Sequence, residues 1–400
     1  MALRTVVLGG GAAGFFAAIR IAARHPDWEV SILERGRSVL EKVRISGGGR
    51  CNVTHACWDP AELVRYYPRG EKELLGPFHK FACGDTMAWF GDRGVALKIE
   101  EDGRVFPESD SSQTIIDCLW AEAKRLGIRI VTGARVESFT APASPPEPWA
   151  VTVGGSTYYA DRLVVTTGSN PAVWKLLRGI GHQLIDPVPS LFALNIKDTR
   201  LAGLSGISLP WVQLRAGRLQ ADGPLLITHR GLSGPAVLRL SAWGARELHP
   251  LGYDFELFVN WVARRPADVE TALAGTNLAR KQVAKNSQLG LPARLWYTLV
   301  IAAGIAADQQ WAHVTSDQRA ALITELTAGR FRVKGKATNK DEFTTAGGVD
   351  LREVDFRSFQ SKVHPTLYLA GEVLDIDAIT GGFNFQAAWT GGWLIGEHIQ

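Results

Sequence analysis

The glycine cluster Gly9-Gly10-Gly11-Ala12-Ala13-Gly14 constrains this chain more than any other feature. A short β-branched run, Arg4 to Leu8, precedes it, and an Ala- and Ile-rich stretch with helical spacing, Phe15 to Arg24, follows. Glu29 to Leu33 reads as a second strand, closed by Glu34. Strand, glycine turn, helix and strand make one βαβ unit. Gly9, Gly11 and Gly14 stand in the spacing G-x-G-x-x-G. The first glycine permits the tight turn, the second lets backbone N–H groups reach a pyrophosphate, and the third lets helix and strand pack closely. Glu34, 20 residues after Gly14, can accept hydrogen bonds from ribose hydroxyls. A chance glycine turn beside a surface glutamate would not supply all four parts in order, so the expectation is a dinucleotide site.

At 400 residues the chain has room for two or three packed units. With 46% hydrophobic and 21% charged residues, a disordered or fibrous chain is excluded. A helix is expected from about Ser111 to Leu126, stopped by Gly127, then a strand at Ile128 to Val131. Residues 141–148 read as a proline-rich connector, Gly154-Gly155-Ser156 as a hairpin turn, and Leu163 to Gly168 as a buried strand. Short strands punctuated by Gly and Pro are expected over 191–260, and Ala- and Leu-rich helices over 266–329. Strand sequence returns at Phe331 to Val333 and at Leu367 to Gly371, and a last helix runs from Phe383 to His398. The chain thus leaves a first domain, builds a second with a helical insert, and returns: 1–190 with 343–400, 191–260 with 331–342, and 261–330. The four cysteines, Cys51, Cys57, Cys83 and Cys118, contain no C-x-x-C pair, so zinc-finger and thioredoxin-like readings lack support and no metal is expected. No apolar run reaches the ~18 residues of a membrane span. The first residues leave no room for a signal peptide, so a cytoplasmic protein away from the membrane is expected.

Ile45 to Thr54, reading Ser46-Gly47-Gly48-Gly49-Arg50-Cys51-Asn52 at its centre, is more specific. With it go Val105-Phe106-Pro107, Thr228 to Pro235, Thr345 to Val349, Gly371 to Asp375 and Thr380 to Gln386. This ordered set, spread over nearly the whole chain, resembles a bacterial flavoprotein family. Its members are described as aminoacetone oxidase-like or bile-acid enone reductase-like, and they include a ribosomal RNA dihydrouridine synthase. The resemblance implies an α/β fold: a Rossmann-type FAD-binding domain like that of two-dinucleotide-binding-domain flavoproteins, interrupted by a β-rich domain carrying a helical insert. It implies FAD as cofactor. The chain has no second G-x-G-x-x-G, so NAD(P)H as donor would dock without that motif. One departure stands at Ser169 to Trp174, where the family has a longer glycine-rich stretch. That block faces the flavin region, so no single member's substrate transfers.

The expected FAD contacts follow. Gly9, Gly11, Ala12, Ala13, Gly14, Glu34 and Arg35 form the dinucleotide turn, with Lys42, Val136, Thr167 and Gly168 beside it. Ser46, Gly47, Gly48, Gly49, Arg50, Cys51 and Asn52 would form a backbone nest, Arg50 adding positive charge. Gly371 and Glu372 match the ribityl or pyrophosphate contact of such folds. Gly381 and Gly382 open the last helix, with Phe383, Asn384 and Phe385 in its first turn. The helix amino terminus can stabilise charge on a reduced flavin, and Asn384 can add a side-chain hydrogen bond. Catalytic candidates are Cys51, His229 and Arg230. Cys51 and Cys57 stand one residue too far apart for the C-x4-C redox pair of flavin disulfide reductases, so a buried thiol is the expected state of Cys51.

Residues 260–340 hold 12 Lys and Arg against 5 Asp and Glu, and Arg330, Arg332, Lys334, Lys336 and Lys340 follow one another without an acid. A surface for RNA or merely a solvated helical face would both look so. The expected function is transfer of hydride through flavin N5, with NAD(P)H-linked reduction of an activated C=C bond as the reaction. The substrate is a small molecule or, alternatively, a uridine of ribosomal RNA. Amine oxidation with O2 and a non-catalytic FAD-stabilised binding protein are the other readings.

Overall fold

The computed structural model describes residues 2–143, 147–274, 279–337 and 344–400. Residues 144–146 of the proline-rich connector and Lys340 of the basic run lie outside them. The chain forms two compact units, Met1–Pro187 with Thr344–Gln400, and Val188–Phe343.

The first unit is built on a seven-stranded sheet in the order Val354–Asp355, Gln360–Ser361, Leu367–Leu369, Arg162–Val165, β1 (Arg4–Leu8), β2 (Glu29–Leu33), Arg129–Val131. The five strands from Leu367–Leu369 onward run parallel. Val6, Val7, Leu8, Ile32, Leu163, Val164 and Val165 are all buried, as a parallel sheet covered on both faces requires. The glycine helix α1 (Ala12–Arg24) packs against the terminal helix Phe383–His398. Their approach depends on Gly392 and Gly396, one turn apart on one face. A Cβ at Gly392 would stand 2.5 Å from the Ala13 carbonyl oxygen, and one at Gly396 2.4 Å from Arg20 Cβ. Phe16 fills the adjoining space, its ring 4.5 Å from Trp89 and 4.6 Å from Trp389.

A hairpin, Trp149–Val153 and Ser156–Ala160, turns at Gly154 and Gly155, both with positive φ, as a tight two-residue turn demands. Four helices for which the sequence offered no clear period lie at Glu41–Gly49 (α2), Pro60–Leu63, Glu71–Phe78 and Cys83–Gly91. They are short and interrupted by glycine and proline, so no apolar period runs long enough to be legible.

The second unit is a six-stranded sheet, Leu194–Asn195, Gly231–Ser233, Leu219–Thr228, Ser208–Ala216, Asp254–Asn260 and Gly329–Lys334, with antiparallel neighbours. One face is apolar: Leu214, Leu225, Leu257, Val259, Phe331 and Val333 join a single core. Helices Pro266–Leu273, Ala293–Ala302 and Ser316–Ala328 contribute Val269, Leu295, Leu299 and Leu326 to that same core. The helical stretch and the strands therefore share one interior.

Candidate functional site

The site is built from the first unit alone. Gly11 is the N-cap of α1 and offers no side chain; the first helical bond runs from Phe15 N–H to the Gly11 carbonyl at 3.0 Å. The N–H groups of Ala12, Ala13 and Gly14 therefore have no partner inside the helix and mark an anion site. The three motif glycines do three different things. A Cβ at Gly9, where φ is +103°, would meet the Thr166 carbonyl oxygen at 2.5 Å, and one at Gly14 would meet the Gly9 carbonyl oxygen at 2.0 Å. At Gly11 a Cβ would meet nothing within 4 Å. Two glycines close the turn, and the third faces open space.

At the end of β2, Glu34 accepts from Gly10 N–H at 2.8 Å and from Gly36 N–H at 2.6 Å. Its carboxylate holds the turn while each oxygen keeps a further lone pair free to accept. Ala134 N–H donates to the Glu34 carbonyl, which brings half-buried Val136 alongside, and Arg35 is exposed. At the middle, Lys42 of α2 forms an ion pair with Glu372. Both lie over Gly168, whose missing Cβ would stand 3.6 Å from Glu372 Oε2 and 4.0 Å from Lys42 Nζ. Gly371 faces Ala13. Thr167 Oγ1 is buried with no hydrogen-bond partner among the described residues.

At the far end α2 breaks. Ser46 has ψ of 152°, and Gly47, Gly48 and Gly49 take φ of +57°, +69° and +86°. Cβ atoms at Gly48 and Gly49 would meet nothing within 4 Å, whereas one at Gly47 would meet Asn52 N and Phe106 Cε1, each at 2.9 Å. This is a left-handed run of backbone with an open side, the form of an anion nest. Cys51 continues it at φ +61°, a strained position for a side chain, fixed by its N–H donating to the Ser46 carbonyl at 3.0 Å. With the Asn52 amide turned to the orientation that satisfies both of its ends, its nitrogen donates to the Thr54 carbonyl and its oxygen accepts from Gly382 N–H, each at 3.0 Å. Nest and terminal-helix start are thereby joined. The helix begins here because Gly382 takes φ +89° pressed against the Thr54 backbone, 2.5 Å from where its Cβ would be.

A buried network holds this junction. Gln386 Oε1 accepts from Thr54 Oγ1 at 2.6 Å and Thr86 Oγ1 at 2.9 Å, and Gln386 Nε2 donates to Thr390 Oγ1 at 3.1 Å. Trp389 Nε1 donates to the Val53 carbonyl, and Tyr67 OH to the Phe383 carbonyl at 2.6 Å. Phe383 stacks on Tyr66 at 4.3 Å and on His55 at 4.7 Å. Burial lowers the His55 pKa, so the ring is neutral near pH 7. Arg69 and fully buried Asp377 form an ion pair in the loop before the helix. Gln386 lay at the edge of the matched run Thr380 to Gln386; His55, Tyr66, Arg69 and Asp377 carried no spacing signal, because their partners are hundreds of residues away.

Several expected contacts differ. The Arg50 guanidinium does not add free charge to the nest: it pairs with Glu100 at 2.6 Å and Asp110 at 3.4 Å and lies 4.0 Å over the Phe106 ring. The Asn384 amide is turned back on the loop, accepting from Ala378 N–H and donating to the Ala378 carbonyl, so both backbone groups of Ala378 are paired by it. Phe385 stacks on Trp389. Burial pushes the Cys51 thiol up to about 12, so it is a protonated thiol, and Cys57 is pushed up to about 11. All four cysteines are free thiols. His229 and Arg230 belong to the second unit, exposed at the hairpin turn between Thr228 and Gly231. Among the described residues no cluster of His, Cys, Asp and Glu could hold a metal ion. No described helix is long and apolar enough to cross a membrane.

The family model described as the HI0933-like protein Rossmann domain matches residues 3–398. The chain belongs to this family. Over 409 residues it is 28% identical to a 3-dehydro-bile acid delta(4,6)-reductase of Clostridium scindens, covering 98% of each chain. Over 414 residues it is 27% identical to a ribosomal RNA dihydrouridine synthase of Escherichia coli, covering 98% of this chain and 97% of the other. The fold is also that of a 3-ketosteroid-delta4-(5alpha)-dehydrogenase from Rhodococcus jostii, with a TM-score of 0.52 at 15% identity over 99% of this chain and 97% of that one. As a member of this flavoprotein family, the chain is an FAD-dependent oxidoreductase. Its residues fit that cofactor: the open faces of Gly11, Gly48 and Gly49 and the orphaned Thr167 hydroxyl are what a long dinucleotide would fill.

Proposed function

We propose that this chain reduces a carbon–carbon double bond conjugated to a carbonyl group, with NAD(P)H as the donor. The observation that supports a flavin site in this reading is the left-handed glycine run at Gly47 to Gly49, open at Gly48 and Gly49, beside the start of the terminal helix at Gly382, which presses on the Thr54 backbone. The reaction type rests on the relatives. When bound, FAD supplies hydride at flavin N5. The α1 amino terminus would hold its diphosphate, Glu34 its ribose, and the nest and terminal helix its ring. The N–H groups of Phe383, Asn384 and Phe385, without partners inside the helix, would stabilise negative charge on a bound flavin by about 0.3–2 kcal/mol. Lys42, ion-paired with Glu372, would exchange that partner for a phosphate oxygen of the bound cofactor. Cys51, fully buried and held as a protonated thiol, would line the site rather than act as a thiolate nucleophile.

Two relatives support the reaction type. One is named a reductase of a 3-dehydro bile acid and the other a dihydrouridine synthase, and each name describes saturation of a double bond. The test is anaerobic mixing of flavin-loaded protein with NADH or NADPH, followed at the flavin band near about 450 nm. Rapid bleaching, then reoxidation by a conjugated enone or a uridine oligonucleotide, is expected. No bleaching overturns the donor. Bleaching that only air reverses, coupled to amine turnover in the absence of nicotinamide, replaces the reading with amine oxidation.

A further inference from the structure

We infer that the solvent-facing side of the six-stranded sheet in the second unit is a contact surface for single-stranded RNA. That side is not the ordinary polar back of an antiparallel sheet. The strand Ser208–Ala216 presents Trp211, Gln213 and Arg215 at alternate positions. Trp211, 52% exposed, sits at a bulge where pairing skips from Leu209 to Val212, and bulges turn side chains outward. Across the ladder Arg215 pairs in register with Phe258, and Phe258 with Arg330. The Arg215 guanidinium lies 4.2 Å over the Phe258 ring and has no carboxylate within ion-pair reach among the described residues. Its outer plane is open to stack a base, as arginine planes do in RNA complexes. Gln213 stands beside it, its Oε1 accepting from Asn260 Nδ2 at 3.1 Å, which leaves the Gln213 amide nitrogen for a base edge; Asn260 itself is committed to Gln213, Arg264 and Val262.

Charge points the same way. Arg330, Arg332 and Lys334 occupy the exposed positions of the edge strand, against Asp254 and Glu256 on its neighbour. Arg330 pairs with Glu256 and Arg332 with Asp254. Among the described residues Arg215 and Lys334 have no carboxylate within ion-pair reach, so the described residues of this face carry two uncompensated positive charges. Asp222 on the next strand is matched by Arg239. Where pairing of their two strands ends, Arg215 and Phe258 border a cavity of about 390 Å³, lined also by Arg218, Leu219, Leu251 and the core residue Phe255. Glu247 and Glu256 also border it, each paired to an arginine. Aromatic floor, stacked guanidinium and uncompensated cations are what a sequence-tolerant single-strand site combines. Assigning RNA as the substrate rests on the reaction proposed above; the binding itself does not.

The experiment uses full-length, flavin-loaded protein and a fluorescein-labelled uridine oligoribonucleotide of about 12 nucleotides, within single-strand site sizes. Anisotropy is read over a series of KCl concentrations. Binding that weakens linearly in log–log salt is expected. Trp211→Ala with Phe258→Ala should weaken it at least fivefold, and Arg215→Gln with Lys334→Gln should reduce the salt slope by about 1.4, at about 0.7 per cation. Unchanged flavin absorbance and far-UV circular dichroism show that the variants are folded; if the aromatic pair is not, the cation pair decides. No binding by the parent protein at low salt, or equal binding by the folded variants, overturns the inference. Tighter binding to a duplex of the same length would make the face a general polyanion surface and overturn it as well. If RNA binds as expected but is not reduced, the proposed reaction fails and the surface stands.

Discussion

Replacing Gln386 by leucine would separate a structural junction from cofactor contact. Gln386 is completely buried, as are Thr54 and Thr86, and its Oε1 accepts from both hydroxyls. Leucine has nearly the same volume, so the substitution opens little cavity but leaves two buried donors without their acceptor. Each costs about 1–3 kcal/mol, giving roughly 2–5 kcal/mol once some hydroxyl rotation is allowed. Thr390 loses less, because its hydroxyl still donates to the Phe81 and Gln386 carbonyls. Thermal release of flavin fluorescence reports the first unit specifically, whereas whole-chain unfolding of two units is not a two-state measurement. At about 2–4 °C per kcal/mol for a unit of this size, the midpoint should fall by roughly 5–15 °C. A second substitution checks the cause. Thr86→Val removes one stranded donor, so Gln386→Leu with Thr86→Val should be more stable than Gln386→Leu alone, by about 1 kcal/mol. A drop under about 2 °C, or a double variant less stable than the single, would refute the argument that unsatisfied hydroxyls carry the effect.

Gly14→Ala and Gly11→Ala should fail differently. Gly14→Ala drives a methyl into the Gly9 carbonyl and should lower both soluble yield and melting temperature, while Gly11→Ala meets nothing in the chain and should fold normally with weakened FAD retention, read as flavin-to-protein ratio after gel filtration. Equal flavin content in Gly11→Ala and the parent would remove Gly11 from the diphosphate site. The first unit should also lose stability in mild acid. His182 is buried between Glu353, at 2.7 Å from Nδ1, and Ser361, at 3.1 Å from Nε2, and burial lowers its pKa. The folded state thus binds fewer protons than the unfolded one, so this stability is complete above about pH 6.5 and is lost as pH falls below it. Melting temperature measured from pH 7.5 to 5 should decline less steeply in His182→Gln; identical slopes would show that His182 does not carry the effect.

The dinucleotide turn was legible because everything it needs is local. Strand, three glycines, helix and acid lie within residues 4–34, and the turn's backbone demands show directly as glycine spacing. The terminal helix Phe383–His398 was legible for a related reason: glycine marks its start, and its length exceeds three turns. Only the tertiary structure decided what the polar side chains around those elements do. Arg50 carries a charge that the sequence places in a glycine nest, yet Glu100 and Asp110, distant along the chain, take it up. Asn384 has the residue type for a ligand contact, but its own loop supplies a donor and an acceptor first. Basic runs behave alike: Arg330 and Arg332 look unopposed in sequence and are opposed across the ladder by Glu256 and Asp254. Backbone conformation is set by near neighbours and therefore written in short spacings. A side-chain hydrogen bond or ion pair goes to whichever partner the fold brings within about 3 Å, and Thr54 with Gln386, or Arg69 with Asp377, meet only after some three hundred residues have been packed between them.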